Sequence, residues 1–152
     1  MTSVELRPIR PQDLEDLLPL VAGYQRFYLA EPDAERNRRF FSQFIQPSDK
    51  GLLLGAWRNG DLAGFATLYW FFSSTKAANS VLMNDLFVRD DARGAGIGRM
   101  LIQRALDEAR RRGAGHLEWL TAPDNLAAQR LYDSFPGASR STWLAYEIEA
   151  VE

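Results

Sequence analysis

Polar and apolar positions alternate through SVELRPI, with Val4, Leu6 and Pro8 on one side, which predicts a short first strand. The spacing then changes. Leu14, Leu17, Leu18 and Val21 recur at helical intervals, predicting a helix over 10–28 with Pro11 in its first turn. Pro19 and Gly23 are expected to bend or interrupt that helix. A second helix is predicted over 33–45, with Phe40, Phe41, Phe44 and Ile45 on one face. Residues 50–72 read as two strands joined at Asn59-Gly60, a strong hairpin signal. The run 79–90 is a further strand. Ile102, Ala105, Leu106 and Ala109 form one stripe of a helix over 98–113, where Arg110 to Arg112 suit the negative end of the helix dipole and Gly113 the stop. HLEWLT (116–121) predicts a strand, and 122–135 a helix capped by Asp124 or Asn125. STWLAYEIE (141–149) predicts a final strand. The order βααβββαβαβ implies an α/β or α+β fold, a single domain over 1–152, with a mixed sheet and helices on both faces.

Composition narrows the chemistry. The chain has 152 residues, 46% hydrophobic and 25% charged, as expected of one ordinary globular domain. A formal net charge of −2 gives no bulk attraction to nucleic acid or an anionic membrane. The chain has no cysteine, which excludes disulfides, thiolate metal sites and a cysteine nucleophile, and its single histidine, His116, excludes a histidine-rich metal site. The N-terminus carries no apolar leader and no run long enough to span a bilayer, so a cytoplasmic location is expected.

The stretch VRDDARGAGIGRML interrupts this ordinary picture. Gly94, Gly96 and Gly98 alternate with Arg93, Ala95 and Ile97 between a predicted strand and a predicted helix. Glycine permits positive φ and close backbone approach. Free N–H groups and the dipole at a helix N-terminus attract anions. A phosphate cradle and a plain tight turn both fit the loop taken alone. It is not a P-loop, because Gly98-Arg99-Met100 stands where Gly-Lys-Ser/Thr would be required.

Arg93-x-x-Gly96-x-Gly98, after a strand and before a helix, resembles the acetyl-coenzyme A signature of the GNAT superfamily of N-acetyltransferases. The later NLAAQRLY resembles that family's N-x-x-A-x-x-L/F-Y helix, and the order of elements matches over nearly the whole chain. The resemblance implies a mixed, mostly antiparallel, twisted sheet of about six to seven strands. It implies that Leu86, Phe87 and Val88 offer backbone groups to the pantetheine arm of acetyl-CoA. The segment Arg93, Gly94, Ala95, Gly96, Ile97, Gly98 and Arg99 would hold the pyrophosphate. Asn125 would bond the cofactor arm or position its own helix. It also implies transfer of an acetyl group to a primary amine by direct attack, and a homodimer.

In that family a tyrosine at the place of Tyr132 gives a proton to the departing thiolate, a reasonable donation because a phenol pKa of about 10 lies above the ~8.5 of a free thiol. A core ring is the other reading of Tyr132, and an N-cap of Asn125. Asp85 and Glu118 are candidates for the base that deprotonates the amine, alongside a water chain. Tyr24, Tyr28, Glu31 and Tyr69 are candidate acceptor-site residues, suited to a cationic substrate on an alkyl chain. The sequence most resembles the polyamine and histone-type branch, so a small amine or polyamine is expected. A protein lysine or N-terminal acceptor and a non-catalytic acyl-CoA sensor remain the alternatives. No metal, nucleic acid or membrane partner is called for.

Overall fold

The computed structural model describes residues 3–151. The chain divides into two compact units, Met1–Leu120 and Thr121–Glu152. The first holds a five-stranded sheet in the order β1-β2-β3-β4-β5, formed by β1 (Val4–Pro8), β2 (Gly51–Arg58), β3 (Asp61–Ser73), β4 (Ala78–Val88) and β5 (Leu117–Glu118). β1 to β4 are antiparallel, and β5 joins β4 in parallel through only Val81↔Leu117 and Leu82↔Glu118. The mixed, mostly antiparallel sheet expected from sequence is present. The strand count is not: among the described residues there are five strands rather than six to seven.

The β2–β3 hairpin turns at Asn59 (φ 53°) and Gly60 (φ 88°), two left-handed residues that match the twist of the strands they join. Burial runs unbroken along most of β2 because both faces of the sheet are covered. On one face Leu53, Trp57 and Phe65 pack with Leu17, Leu20 and Val21 of α1 (Leu14–Phe27) and Phe41 of α2 (Ala34–Ser42). On the other, a Cβ at Gly64 would stand 3.3 Å from Ile97 and 3.4 Å from Leu101 of α3 (Ile97–Arg111). Phe65 and Gly64 are neighbours on β3, so the two sets of helices lie on opposite faces.

α1 runs through Pro19 and Gly23 without a break, against expectation. Gly23 has a packing reason: a Cβ there would fall 2.9 Å from the Phe87 ring of β4. A short 3-10 turn, Pro11–Asp13, precedes α1. It is pinned by Arg7, whose guanidinium makes bonds of 2.7 and 3.1 Å to the two oxygens of Asp13.

The second unit contains α4 (Leu126–Asp133), capped by the Asn125 carboxamide, which accepts from the Ala128 N–H at 3.2 Å. The predicted strand over 141–149 is absent. Residues 139–151 form neither helix nor strand, and Trp143, Leu144, Tyr146 and Ile148 are 80–95% exposed. A strand needs a ladder partner, and alternation in sequence supplies only the side chains for one. HLEWLT is likewise shorter than predicted, with only Leu117 and Glu118 in the ladder.

Candidate active site

β4 carries an irregularity that decides where its side chains point. Thr67 of β3 pairs with Asp85 and Leu68 with Met83, so Asn84 is an extra residue, a β-bulge. Below the bulge Met83 and Val81 pair with Leu68 and Trp70, on the α3 face. Above it Asp85 and Phe87 pair with Thr67 and Phe65, on the α1 face. The bulge thus turns Asp85 toward α1 and α2.

There a cleft of about 310 Å³ opens, with Asp85 and Asn84 at the strand, Tyr24 and Gln25 from α1, and Tyr69 from β3. Arg36, Asn37, Phe40 and Phe41 of α2 complete its lining. Asp85 is only 3% exposed. Burial pushes its carboxyl above the ordinary carboxylate range, opposed by the nearby Thr67 and Tyr24 hydroxyls and the Asn84 amide. The Asn84 amide donates to Asp85 Oδ1 at 2.8 Å. The Thr67 hydroxyl stands near the carboxylate but outside hydrogen-bonding geometry. Burial and the Asp85 charge also raise the phenols: Tyr69 is pushed up to about 12, and Tyr24 further. Both rings therefore stay neutral, and Tyr24 Oη–H donates a long bond of 3.4 Å to the Asn84 carbonyl. A buried carboxylate with a raised pKa beside neutral phenols is suited to take a proton near neutral pH.

Leu86, Phe87 and Val88 lead from the cleft to the glycine loop. Because β5 leaves β4 after Leu82, the strand from Met83 to Val88 has no ladder partner on that side among the described residues. Beyond it, a 3-10 turn (Asp90–Ala92) brings in Arg93, whose Nε donates to the Val88 carbonyl at 3.1 Å while its guanidinium pairs with Asp90 at 3.1 Å. Gly94 (φ 83°) and Gly96 (φ 81°) are left-handed, with Ala95 of ordinary hand between them. Such alternation turns successive N–H groups toward one concave side and binds anions. Gly96 caps α3, whose first-turn N–H groups lack intrahelical acceptors. A Cβ at Gly94 would meet nothing within 4 Å, so the loop faces open space.

A scan of family descriptions matches residues 16–135 to the Acetyltransferase (GNAT) family. The chain belongs to the GNAT acetyltransferase family. It is 32% identical over 130 residues to the uncharacterized N-acetyltransferase YhfO of Bacillus subtilis, covering 86% of this chain and 87% of that one. It is 34% identical over 131 residues to the D-amino-acid N-acetyltransferase HPA3 of Saccharomyces cerevisiae, covering 85% and 81%. A crystal structure of a probable acetyltransferase superposes with a TM-score of 0.83 at 25% identity, covering 97% and 99%. The protein is therefore an N-acetyltransferase, and acetyl-CoA is the donor its family uses. The loop Gly94 to Arg99 and the β4 backbone from Leu86 to Val88 are the stretches that we propose for that donor's pyrophosphate and the amides of its arm.

Of the acceptor-site candidates, the structure brings Tyr24, Tyr69 and Asp85 into one cleft. Tyr28 is more than half exposed, its ring 5.0 Å from that of Tyr24. Glu31 contributes its backbone carbonyl, which accepts from Arg36 at 2.9 Å. Glu118 lies on β5 and pairs with Lys76 at 3.3 Å. Asn125 and Tyr132 belong to α4 of the second unit. Gln25, Arg36 and Asn37 were not singled out from sequence as site residues. Arg36 there is one of a run of arginines, and only the packing of α2 on α1 distinguishes it.

Proposed function

We propose that the protein acetylates a small primary amine by direct attack within one ternary complex, working as a single acetyltransferase domain over 1–152. The observation that carries this reading is Asp85: a buried carboxylate set by a bulge at the end of an aromatic-walled cleft, on the same strand that leads to the glycine loop. Bound acetyl-CoA supplies a thioester carbonyl open to attack by a neutral amine. Asp85 takes the proton that the arriving ammonium must lose, and the nitrogen then forms its bond to carbon as the carbon–sulfur bond breaks. Tyr132 Oη gives the sulfur its proton, the role its family resemblance implies, and the second proton that the nitrogen sheds on becoming an amide returns to the tyrosine through solvent. Tyr24 and Tyr69 wall the acceptor chain. A cleft of about 310 Å³ suits a small molecule better than a folded protein surface, and the yeast relative named above acts on D-amino acids. Polyamines, expected from sequence, fall within this class and are tested separately below.

The chain has no cysteine, which fits transfer without an acetyl-enzyme. The test is thiol release from acetyl-CoA with a panel of primary amines. Turnover with intersecting double-reciprocal plots is expected. Parallel plots would overturn direct attack, and acetyl-CoA binding without turnover of any amine would return the protein to a sensor role.

We further propose a homodimer. Support comes from the C-terminal segment, whose Trp143, Leu144, Tyr146 and Ile148 expose more apolar surface together than a free chain end ordinarily does. Light scattering at micromolar concentration should give twice the mass of the chain; a monomeric mass overturns it.

A further inference from the structure

We infer that the acceptor carries a carboxylate, held by Arg36 in the same cleft as Asp85, so that the substrate is a free amino acid rather than a bare amine or polyamine. This rests on the acetyltransferase reading above and narrows it. Among the described residues lining the cleft, Asp85 is the one anion and Arg36 the one cation. The walls also carry the rings of Tyr24, Tyr69, Phe40 and Phe41. One anion, one cation and apolar rings in a single cleft match a zwitterion: ammonium at Asp85, carbon chain along the rings, carboxylate at Arg36.

The arginine is built to be read this way. Its backbone N–H donates to the Asp33 cap at 3.0 Å, and one guanidinium N–H donates to the Glu31 carbonyl at 2.9 Å. That carbonyl fixes the head group without cancelling its charge. No carboxylate lies within salt-bridge distance of it among the described residues, whereas Arg38 on the same helix is bonded to both Glu15 and Glu35. Asp33, the nearest acid, is turned to the helix end as its cap. The next residue, Asn37, is buried and exchanges two 2.8 Å bonds with Gln25 of α1, the neighbour of Tyr24. This amide pair fixes α2 against α1, the two helices that bring Arg36 and Tyr24 to the cleft. A planar guanidinium with free N–H groups pairs with a carboxylate through two parallel bonds. A polyamine would instead bring a second ammonium against Arg36, a like-charge contact.

The experiment compares acceptors of matched length that differ in the terminal group: lysine, lysinamide and cadaverine, and alanine, alaninamide and ethylamine. Thiol release is followed with wild type, Arg36→Met and Arg36→Lys. Wild type should favour one amino acid over its amide by about 10- to 100-fold in kcat/KM, the worth of a charge-assisted pair. Arg36→Met should abolish that ratio through KM, while affinity for acetyl-CoA is unchanged. Arg36→Lys, keeping charge without the fork, should restore part of the preference. Equal or better turnover of the amides or the diamine by wild type overturns the inference while leaving the acetyltransferase reading intact. So does a ratio unaltered in Arg36→Met. Failure of every amine while acetyl-CoA still binds overturns both.

Discussion

Gly94 and Gly60 offer a matched pair for testing the loop. Both are left-handed, at φ 83° and 88°, and a Cβ at either would meet nothing within 4 Å. Alanine at either position therefore costs the same in the free protein, about 1–2 kcal/mol for an L-residue in that conformation. For a chain of this size that lowers Tm by about 2–8 °C. The sites differ in what approaches from outside. Gly60 closes the β2–β3 hairpin, while Gly94 belongs to the glycine loop before α3. If the pyrophosphate comes against that backbone, the new methyl of Gly94→Ala displaces it and forfeits at least one charge-assisted bond of about 1.5–3 kcal/mol. The expected loss in affinity for coenzyme A is about 10- to 150-fold for Gly94→Ala and none for Gly60→Ala. Calorimetric titration of coenzyme A into each variant below its melting transition, beside thermal melts, separates stability from binding. Wild-type affinity in Gly94→Ala, or equal weakening in Gly60→Ala, would refute the assignment.

Asp85→Asn should lower kcat by about 10²–10⁴-fold if the carboxylate is the base. It should also raise the Tm of the free protein at pH 8: a carboxyl raised by burial costs stability above the ordinary carboxylate pKa, so the gain should vanish toward pH 3, where both folded and unfolded forms are protonated. A gain over wild type no larger at pH 8 than at pH 3 would contradict the burial argument. Tyr132→Phe should reduce kcat by about 10²–10⁴-fold with coenzyme A affinity unchanged, and full activity would return the ring to a packing role. Asp13→Asn should destabilise the fold by about 1.5–3 kcal/mol in urea melts, through loss of its bidentate bond to Arg7. The Arg7 bond holds the Asp13 carboxyl below the ordinary range, so this stability is present above the unfolded carboxylate pKa and lost as pH falls through the folded one. Wild type and variant should therefore converge toward pH 2, and a difference that persists there would contradict the assignment.

Elements that depend on local chemistry were legible in the chain. The Asn59-Gly60 turn, the α3 stripe with Gly113 at φ 72° behind it, and the glycine loop each state their geometry within a few residues. Elements that depend on a partner were not. STWLAYEIE has the composition of a strand, but pairing is a property of two segments, and among the described residues none pairs with it. Pro19 was expected to bend or interrupt α1, and the helix is not interrupted there: Leu17, Leu18, Leu20 and Val21 on either side are all buried. In the cleft, Tyr24, Tyr69 and Asp85 stood out as chemistry-bearing residues. Arg36 did not, because its meaning comes from the Gln25–Asn37 amide pair that sets α2 against α1.

The bulge at Asn84 explains why the acid could be named from sequence but not placed. In VLMNDLFV strict alternation would put Val81, Met83, Asp85 and Phe87 on one face. That face could not be the one against α3, where Asp85 would replace an apolar side chain beside Leu101 and Ile97. Nor could it be the one against α1, where Val81 and Met83 would leave the layer in which both are now buried. The extra residue resolves the conflict. It lets Val81 and Met83 pack beneath α3 while Asp85 and Phe87 turn toward α1, and it exposes the Asn84 carbonyl to Tyr24. The fold thus gives up regular pairing at one point of its central hairpin, beside the buried carboxylate. Packing alone gives no reason for an acid at that position; the proton transfer we propose there does.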